Sequence, residues 1–263
     1  MESIRVERNE GLVAVTLDRP EKKNAIDGRT WLELEKTFAE LALDPEARAV
    51  ILRGAGGNFS AGADLSGGKK GQGLTGRPVQ PIVSEMRVMG DIILNLARLP
   101  KPTLAAVDGV CVGVGLGLAL ACDLVIASDR ARFSEIFARR GLALDGGTSW
   151  LLPRRVGLQK AKELAFFADM IDAKEAESIG LVNKVVSSAE LDAVADEWGR
   201  RLAAGPTLAL GLAKRLLDAS SSVTLPQALE DEARCQHITY TSQDMREGIA
   251  AYLERREPRF KGC

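Results

Sequence analysis

The chain contains a single histidine, His237, among 263 residues. A multi-histidine metal centre is thereby excluded, and a Ser-His-Asp or Cys-His nucleophile system is disfavoured, because each needs an imidazole beside the reacting group. Four cysteines, Cys111, Cys122, Cys235 and Cys263, include no C-x-x-C pair. Reduced thiols in a cytoplasmic protein are expected, not a disulfide framework. An excess of one charge is also lacking. The formal net charge is −1, and the basic pairs at Lys69-Lys70, Arg139-Arg140, Arg154-Arg155, Arg200-Arg201 and Arg255-Arg256 are dispersed among acids. Neither a nucleic acid nor a membrane surface is expected as partner. The apolar run Val110 to Cys122 falls short of the ~18 residues that suggest a membrane span. The N-terminal MESIRVERNE has no apolar segment of the secretory kind.

What the chain does have is apolar bulk, 46% of its residues, enough for one sizeable core. The stretch TLAAVDGVCVGVGLGLALACDLVIAS, Thr103 to Ser128, organises the rest. An apolar strand leads into a turn with glycines at 109, 113, 115 and 117, a buried helix follows, and a second strand starts at Leu124. Glycines crowd a helix start where a ligand or another backbone must come close. The free N–H groups and dipole of that terminus suit a phosphate or an oxyanion. The spacing G-x-G-x-G fails the dinucleotide fingerprint, and no Lys-Ser/Thr follows as in a phosphate-binding loop.

Upstream, Ile4 to Glu7 and Leu12 to Leu17 read as a hairpin across Arg8 to Gly11. Asp27 reads as the N-cap of a helix carrying Trp31, Leu34, Phe38 and Leu41, and a strand runs from Ala49 to Arg53. Residues 66 to 80, rich in glycine, are expected to be a mobile surface loop and a candidate lid. A helix is expected from Ile82 to Arg98. Downstream, the pattern predicts a short strand at 131 to 133, a turn-rich segment to Thr148, helices through Trp150 and over 159 to 167, and an Asp172-capped helix ending at Gly180. A strand is expected over 181 to 186. Only helices follow, so the fold class is α/β, with a mixed body over residues 1–188 and an all-helical region over 189–263.

RPEKKNAID (19–27), FSAGADL (59–65), KPTLAAVDGVCVGVGLGLALACD (101–123), GLALDGGTSWLLPRRVG (141–157) and EGIAAYLERREPRFKG (247–262) together resemble the enoyl-CoA hydratase/isomerase, or crotonase, superfamily. The resemblance covers nearly the whole chain in motif order. It implies a crotonase-like spiral of ββα units, a C-terminal helical region used in trimers or dimers of trimers, and an acyl-CoA thioester substrate. No separate cofactor is implied, coenzyme A being part of the substrate. The family's oxyanion hole of two backbone N–H groups falls on Ala61 and Val114. Coenzyme A falls near Lys22, Lys23 and Ala25, with Ala61, Gly62, Ala63, Asp64 and Leu65 along the pantetheine and Gly113 beside Val114. Asp64 is as readily a brace of its own turn as a ligand contact.

The departures bear on the chemistry. Hydration of a 2-enoyl thioester uses two carboxylates, and the positions of the family's two hydratase glutamates hold Gly117 and Phe137. Glu135 lies two residues from the second position and is read as a solvent-facing turn acid. Asp145 matches an aspartate of family members that shift double bonds or rearrange rings, and GLALDGGTSWLLPR is closest to the ring-epoxide isomerase type, with Leu144 in place of the usual proline. Apolar neighbours raise the pKa of such an aspartate, and one carboxylate suffices for a 1,3-proton shift. Capping the following helix is its alternative role. Trp150, Phe137, Leu142 and Leu144 are candidates for an apolar pocket. A dehalogenase-like nucleophilic role for the aspartate would need a histidine base, which His237 in the helical tail does not offer. The leading expectation is an enoyl-CoA isomerase with Asp145 as acid/base. An enoyl-CoA hydratase of fatty-acid β-oxidation and a non-catalytic acyl-CoA binding protein are the alternatives.

Overall fold

The computed structural model describes residues 2–66 and 72–263. Strands β1 (Ile4–Asn9) and β2 (Leu12–Leu17) form an antiparallel hairpin with Asn9 opposite Leu12. Its two-residue turn has Glu10 at φ 47° and Gly11 at φ 83°. Positive φ at both central residues gives the turn a twist that matches the strands. Strands β3 (Ala49–Gly54), β4 (Thr103–Val107), β6 (Leu124–Ser128) and β9 (Lys184–Val186) extend this into a six-stranded sheet of order β1-β2-β3-β4-β6-β9, parallel from β2 onward. A smaller sheet of order β5-β7-β8 pairs β5 (Val110–Val112) with β7 (Arg132–Ser134) and β8 (Ile171–Asp172).

The central strands read as unbroken apolar runs because both faces of the large sheet are covered. Val13, Val15, Val50, Leu52, Ala105, Val107 and Val125 face α1 (Gly28–Leu43), α2 (Ile82–Ala97) and α3 (Val114–Ala121) in the main core. The alternate residues Leu12, Ile51, Leu104, Ala106 and Ile126 meet Leu191, Ala195 and Ala203 of α7 (Leu191–Ala203) on the other face. The period of two along each strand divides these sets.

Asp27 caps α1 as expected, its carboxylate accepting from Thr30 N at 2.8 Å, and Asp172 caps α6 (Ala173–Ser178) through Glu175 N at 2.8 Å. After β7 come a short 3-10 turn at Ile136–Arg140, α4 (Thr148–Val156) and α5 (Leu158–Phe167). The strand expected over 181 to 186 is shorter, Lys184–Val186. Leu181 and Val182 both donate their N–H to Ala176 O, closing the end of α6, so they are buried by a turn and not by a ladder. After β9 the described chain is helical, with α7 followed by α8 (Thr207–Ala219), α9 (Leu225–Tyr240) and α10 (Gln243–Glu254). Among the described residues no helix is long and apolar enough to cross a membrane.

Candidate active site at the start of the central helix

The site begins where β4 ends. Segment 60–62 is laid flat against β5 and the first turn of α3: Ser60 N donates to Val110 O at 2.9 Å and Val112 N donates to Ser60 O at 3.1 Å. Glycine is needed on both sides of this contact. A Cβ on Gly62 would lie 2.9 Å from Val112 O, and one on Gly115 would lie 2.7 Å from Ser60 Cβ. On its other side the segment pairs with residues 23 to 26, because Ala61 N donates to Lys23 O (2.9 Å), Ile26 N to Gly62 O (2.8 Å) and Asp64 N to Ile26 O (2.9 Å).

This pairing corrects the first oxyanion donor. The N–H of Ala61 is spent on Lys23, and that of Gly62 on Ser60 Oγ at 3.1 Å. Ala63 N has no acceptor among the described residues, since a parallel bridge to Ile26 engages the neighbours of Ala63 and not its own N–H. Val114, expected as the second donor, opens the central helix. Its N–H has no acceptor among the described residues, while Gly113 N is tied to Ser134 O at 3.0 Å. Two unspent N–H groups thus flank the 60–62 contact, one of them at the positive end of a buried helix.

The expected coenzyme strip is contiguous. Lys22 and Lys23 are exposed on a 3-10 turn, Ala25 is buried behind them, and residues 61 to 65 run alongside. Leu65 is exposed. The Asp64 carboxylate is engaged within the turn: it accepts from Ser66 Oγ (2.5 Å), Ser66 N (3.0 Å) and Arg19 (2.9 Å), and these bonds, the serine hydroxyl first, hold its pKa down to about 2. A cavity of about 270 Å³ adjoins Ala63, lined among others by Ile26, Trp31, Leu74, Ile82, Glu85 and Met89. Of the expected lid, residues 67 to 71 lie outside the described residues. Part of the remainder is a pinned turn: Gly73 N donates to Arg77 O (2.8 Å), and Thr75 donates through its N (2.9 Å) and Oγ1 (2.5 Å) to Glu85 Oε2.

Asp145 reaches the same place from the other side. A Cβ on Gly117 would lie 2.5 Å from Gly146 O, and one on Gly146 would lie 3.1 Å from Val114 Cγ2. The backbone of the loop therefore occupies the space that any side chain at position 117 would take. Asp145 is left beside the first turn of α3, with Oδ1 buried and unpartnered. Burial raises its pKa to about 6. The capping alternative is not what is seen: α4 is capped by Gly147 without a side-chain bond, and it is the Asp145 carbonyl that accepts from Thr148 N (3.1 Å) and Oγ1 (3.0 Å).

Glu135 overturns the solvent-facing reading, being 1% exposed with neither carboxylate oxygen hydrogen-bonded. The strand alternation that would have pointed it outward stops at β7, where the chain bends into the 3-10 turn and packs Ile136 and Phe137 against Gly113. Burial pushes its carboxyl up to about 8, and the Asp145 charge adds to the rise. Folded Glu135 thus binds a proton more tightly than the unfolded chain does, so its contribution to stability is complete below pH 4.5 and is lost as pH rises through about 8. Glu135→Gln removes that loss. The variant's melting temperature, followed by circular dichroism, is expected to gain on the wild type by about 5 °C between pH 5 and pH 8.5.

Phe137 is buried, its ring against Gly113, whereas Leu142 and Trp150 are exposed, the indole lying 3.5 Å below the Arg154 guanidinium. His237 is exposed on α9, and among the described residues no cluster of three or more His, Cys, Asp or Glu could hold a metal.

The α/β body thus presents unspent backbone N–H groups at a glycine-rich helix start, with a partly desolvated carboxyl nearby. The chain belongs to the enoyl-CoA hydratase/isomerase family, whose sequence model matches residues 7–263. It is 36% identical over 262 residues to the 1,2-epoxyphenylacetyl-CoA isomerase of Escherichia coli K12, covering 100% of this chain and 99% of that one. It is 40% identical over 263 residues to a Rhodobacter capsulatus protein named "Probable enoyl-CoA hydratase", covering 99% and 98%. A crystal structure of a Bacillus anthracis enoyl-CoA hydratase superposes with a TM-score of 0.90 at 28% identity, covering 99% of this chain and 100% of that one. The relatives carry isomerase, hydratase and dehalogenase names, the last including the 4-chlorobenzoyl coenzyme A dehalogenase-1 of Arthrobacter sp, 38% identical over 235 residues and covering 88% of this chain and 83% of that one.

Proposed function

We propose that the protein is an enoyl-CoA isomerase that shifts a double bond along the acyl chain of a thioester, with Asp145 as the acid/base. The observation that carries this reading is the seating of Gly146 in the space a side chain at position 117 would need, beside a half-buried Asp145 whose Oδ1 is buried and unpartnered. Of the two positions that bear glutamate in the family's hydratases, one is filled by backbone and the other by the Phe137 ring.

In the reaction, the thioester carbonyl oxygen accepts from Ala63 N and Val114 N. The Asp145 carboxylate removes a proton from C2 of a 3-enoyl thioester. The C–H electron pair forms a C1–C2 double bond and places charge on the oxygen. Asp145, now protonated, returns the proton to C4, the dienolate collapses to the 2-enoyl thioester, and mass is unchanged. Each donor in such a hole is worth roughly 3 kcal/mol of transition-state stabilisation. In this reading Lys22 and Lys23 meet the coenzyme A phosphates, Gly113 lets the thioester approach, and Ala25 with residues 61 to 65 borders the pantetheine.

Incubation with 3-enoyl-CoA and 2-enoyl-CoA thioesters, followed by mass and conjugated-enoyl absorbance, tests this. Conjugation gained at constant mass is the expected result, and addition of one water to the 2-enoyl compounds is the result that sinks it. The hydratase reading has one observation in its favour, the second buried carboxyl at Glu135. Binding without turnover on either series would support the acyl-CoA binding protein.

The assembly we propose is a homotrimer or a dimer of trimers. Its support is the apolar surface left open on the C-terminal helices, including Leu217, Leu225, Leu229, Tyr240, Ile249 and Tyr252. Sedimentation equilibrium is expected to give three or six times the 28.2 kDa chain mass; a monomer at micromolar concentration would remove this assignment.

A further inference from the structure

We propose that Glu135 is a positioning residue acting through Asp145: it keeps its proton during turnover, so that Asp145 is the one negative charge beside the oxyanion donors. This rests on the isomerase reading of Asp145. The geometry is that of two carboxyls on segments that both pack against the first turn of α3, at Gly113 and at Gly117. Glu135 lies between Ser134, whose carbonyl fixes Gly113 N at 3.0 Å, and Ile136, whose Cγ2 is 3.4 Å from the Cβ position of Gly113. Asp145 is brought to the same turn by the contacts of Gly146 with Val114 and Gly117. Thr148 is common to both acids, but its hydroxyl donates to the Asp145 carbonyl at 3.0 Å and leaves Glu135 without a hydrogen bond.

Among the described residues no cation is paired with Glu135. Arg139 on the adjoining 3-10 turn is paired with Asp169 at 2.7 Å, and Lys160 of α5 is taken by Glu163 at 2.7 Å and Glu175 at 2.9 Å. The titratable groups whose charges bear on Glu135 and its surroundings are Asp145 and Cys111 of β5, the latter a buried thiol that desolvation keeps protonated. An acid in such a place is uncharged unless pH forces it. Two carboxyls whose environments hold their proton affinities apart, Asp145 lower and Glu135 higher, divide the roles of base and neutral partner. Ionising Glu135 would place a second buried charge against Asp145 and against the oxygen that becomes negative in the transition state.

The test compares kcat/KM on a 3-enoyl-CoA from pH 5.5 to 9.5 for the wild type and Glu135→Gln. Wild-type activity is expected to fall about tenfold per pH unit above pH 8, and the variant to lose that fall, so that its ratio of activity at pH 9 to that at pH 6.5 exceeds the wild type's about tenfold. A uniform loss at all pH values with the upper limb retained would be a merely structural effect and overturns the proposal. A variant that does not fold leaves the decision to carboxyl NMR of glutamate-labelled protein. One glutamate of the wild type is expected to titrate near 8 and to move toward the ordinary range in Asp145→Asn; no such glutamate, or one unmoved by Asp145→Asn, overturns it as well. Turnover that survives Asp145→Asn would sink the isomerase reading, and the same NMR titration still decides whether the two carboxyls are coupled.

Discussion

Asp145→Asn is expected to lower kcat on a 3-enoyl-CoA by about 10³-fold with KM nearly unchanged, a loss of about 4 kcal/mol in the transition state. The substitution keeps shape and removes only the proton acceptor. The thioester oxygen would still meet Ala63 N and Val114 N, so ground-state binding is retained while the step that makes the enolate loses its base. The fold has no stake in the carboxylate: Oδ1 is buried without a hydrogen bond, and the helix after it is held by the Asp145 carbonyl. Melting temperature is therefore expected to hold or rise, because a desolvated ionisable group is replaced by a neutral one. Stopped-time assays with thermal melts at the same pH separate this outcome from a binding protein, for which Asp145→Asn would change neither binding nor an absent turnover. At lower pH the wild type approaches the variant, since Asp145 is a base only above about pH 6.

Which parts of this were legible in the sequence depended on how local each cause was. The cap at Asp27, the hairpin of the first two strands and the apolar runs of β3, β4 and β6 are each decided within a few residues and appear as read, except that Arg8 and Asn9 join the strand and leave a turn of Glu10 and Gly11 alone. The glycine turn and Asp145 were legible as motif and residue. Their juxtaposition was not, because the contact between Gly117 and Gly146 joins segments 29 residues apart in the sequence. The misplaced donor has a simple origin. Within Ser60-Ala61-Gly62-Ala63 every N–H is equivalent in sequence, and only the pairing with residues 23 to 26 spends that of Ala61 and spares that of Ala63. Glu135 was misread because acids are usually solvent-facing, and the bend that turns it inward is fixed by the packing of Ile136 and Phe137 on Gly113.

Gly117→Ala is expected to cost at least about 100-fold in kcat/KM, the second large effect, although alanine is the better helix former. A methyl group at this site would lie 2.5 Å from Gly146 O, a backbone atom that no side-chain rotation can clear. Either the loop lifts from α3, carrying Asp145 away from Val114, or the helix shifts and spoils the donor; overpacking of this kind costs about 1 to 3 kcal/mol of stability. Gly90 in α2 supplies the control, since a Cβ there meets nothing within 4 Å and Gly90→Ala should leave activity intact and raise stability slightly. Gly117→Glu, which restores the residue type of the family's hydratases, is expected to lose isomerisation to the same extent without gaining hydration, because the partner position holds Phe137 and the new side chain must first expel Gly146. Full activity in Gly117→Ala would mean that the docking of Gly146 on the helix does not place Asp145. Hydration by Gly117→Glu would mean that the site had kept room for a second carboxylate and an activated water, and that the difference between the two chemistries in this chain lies in one side chain and not in the path of the loop.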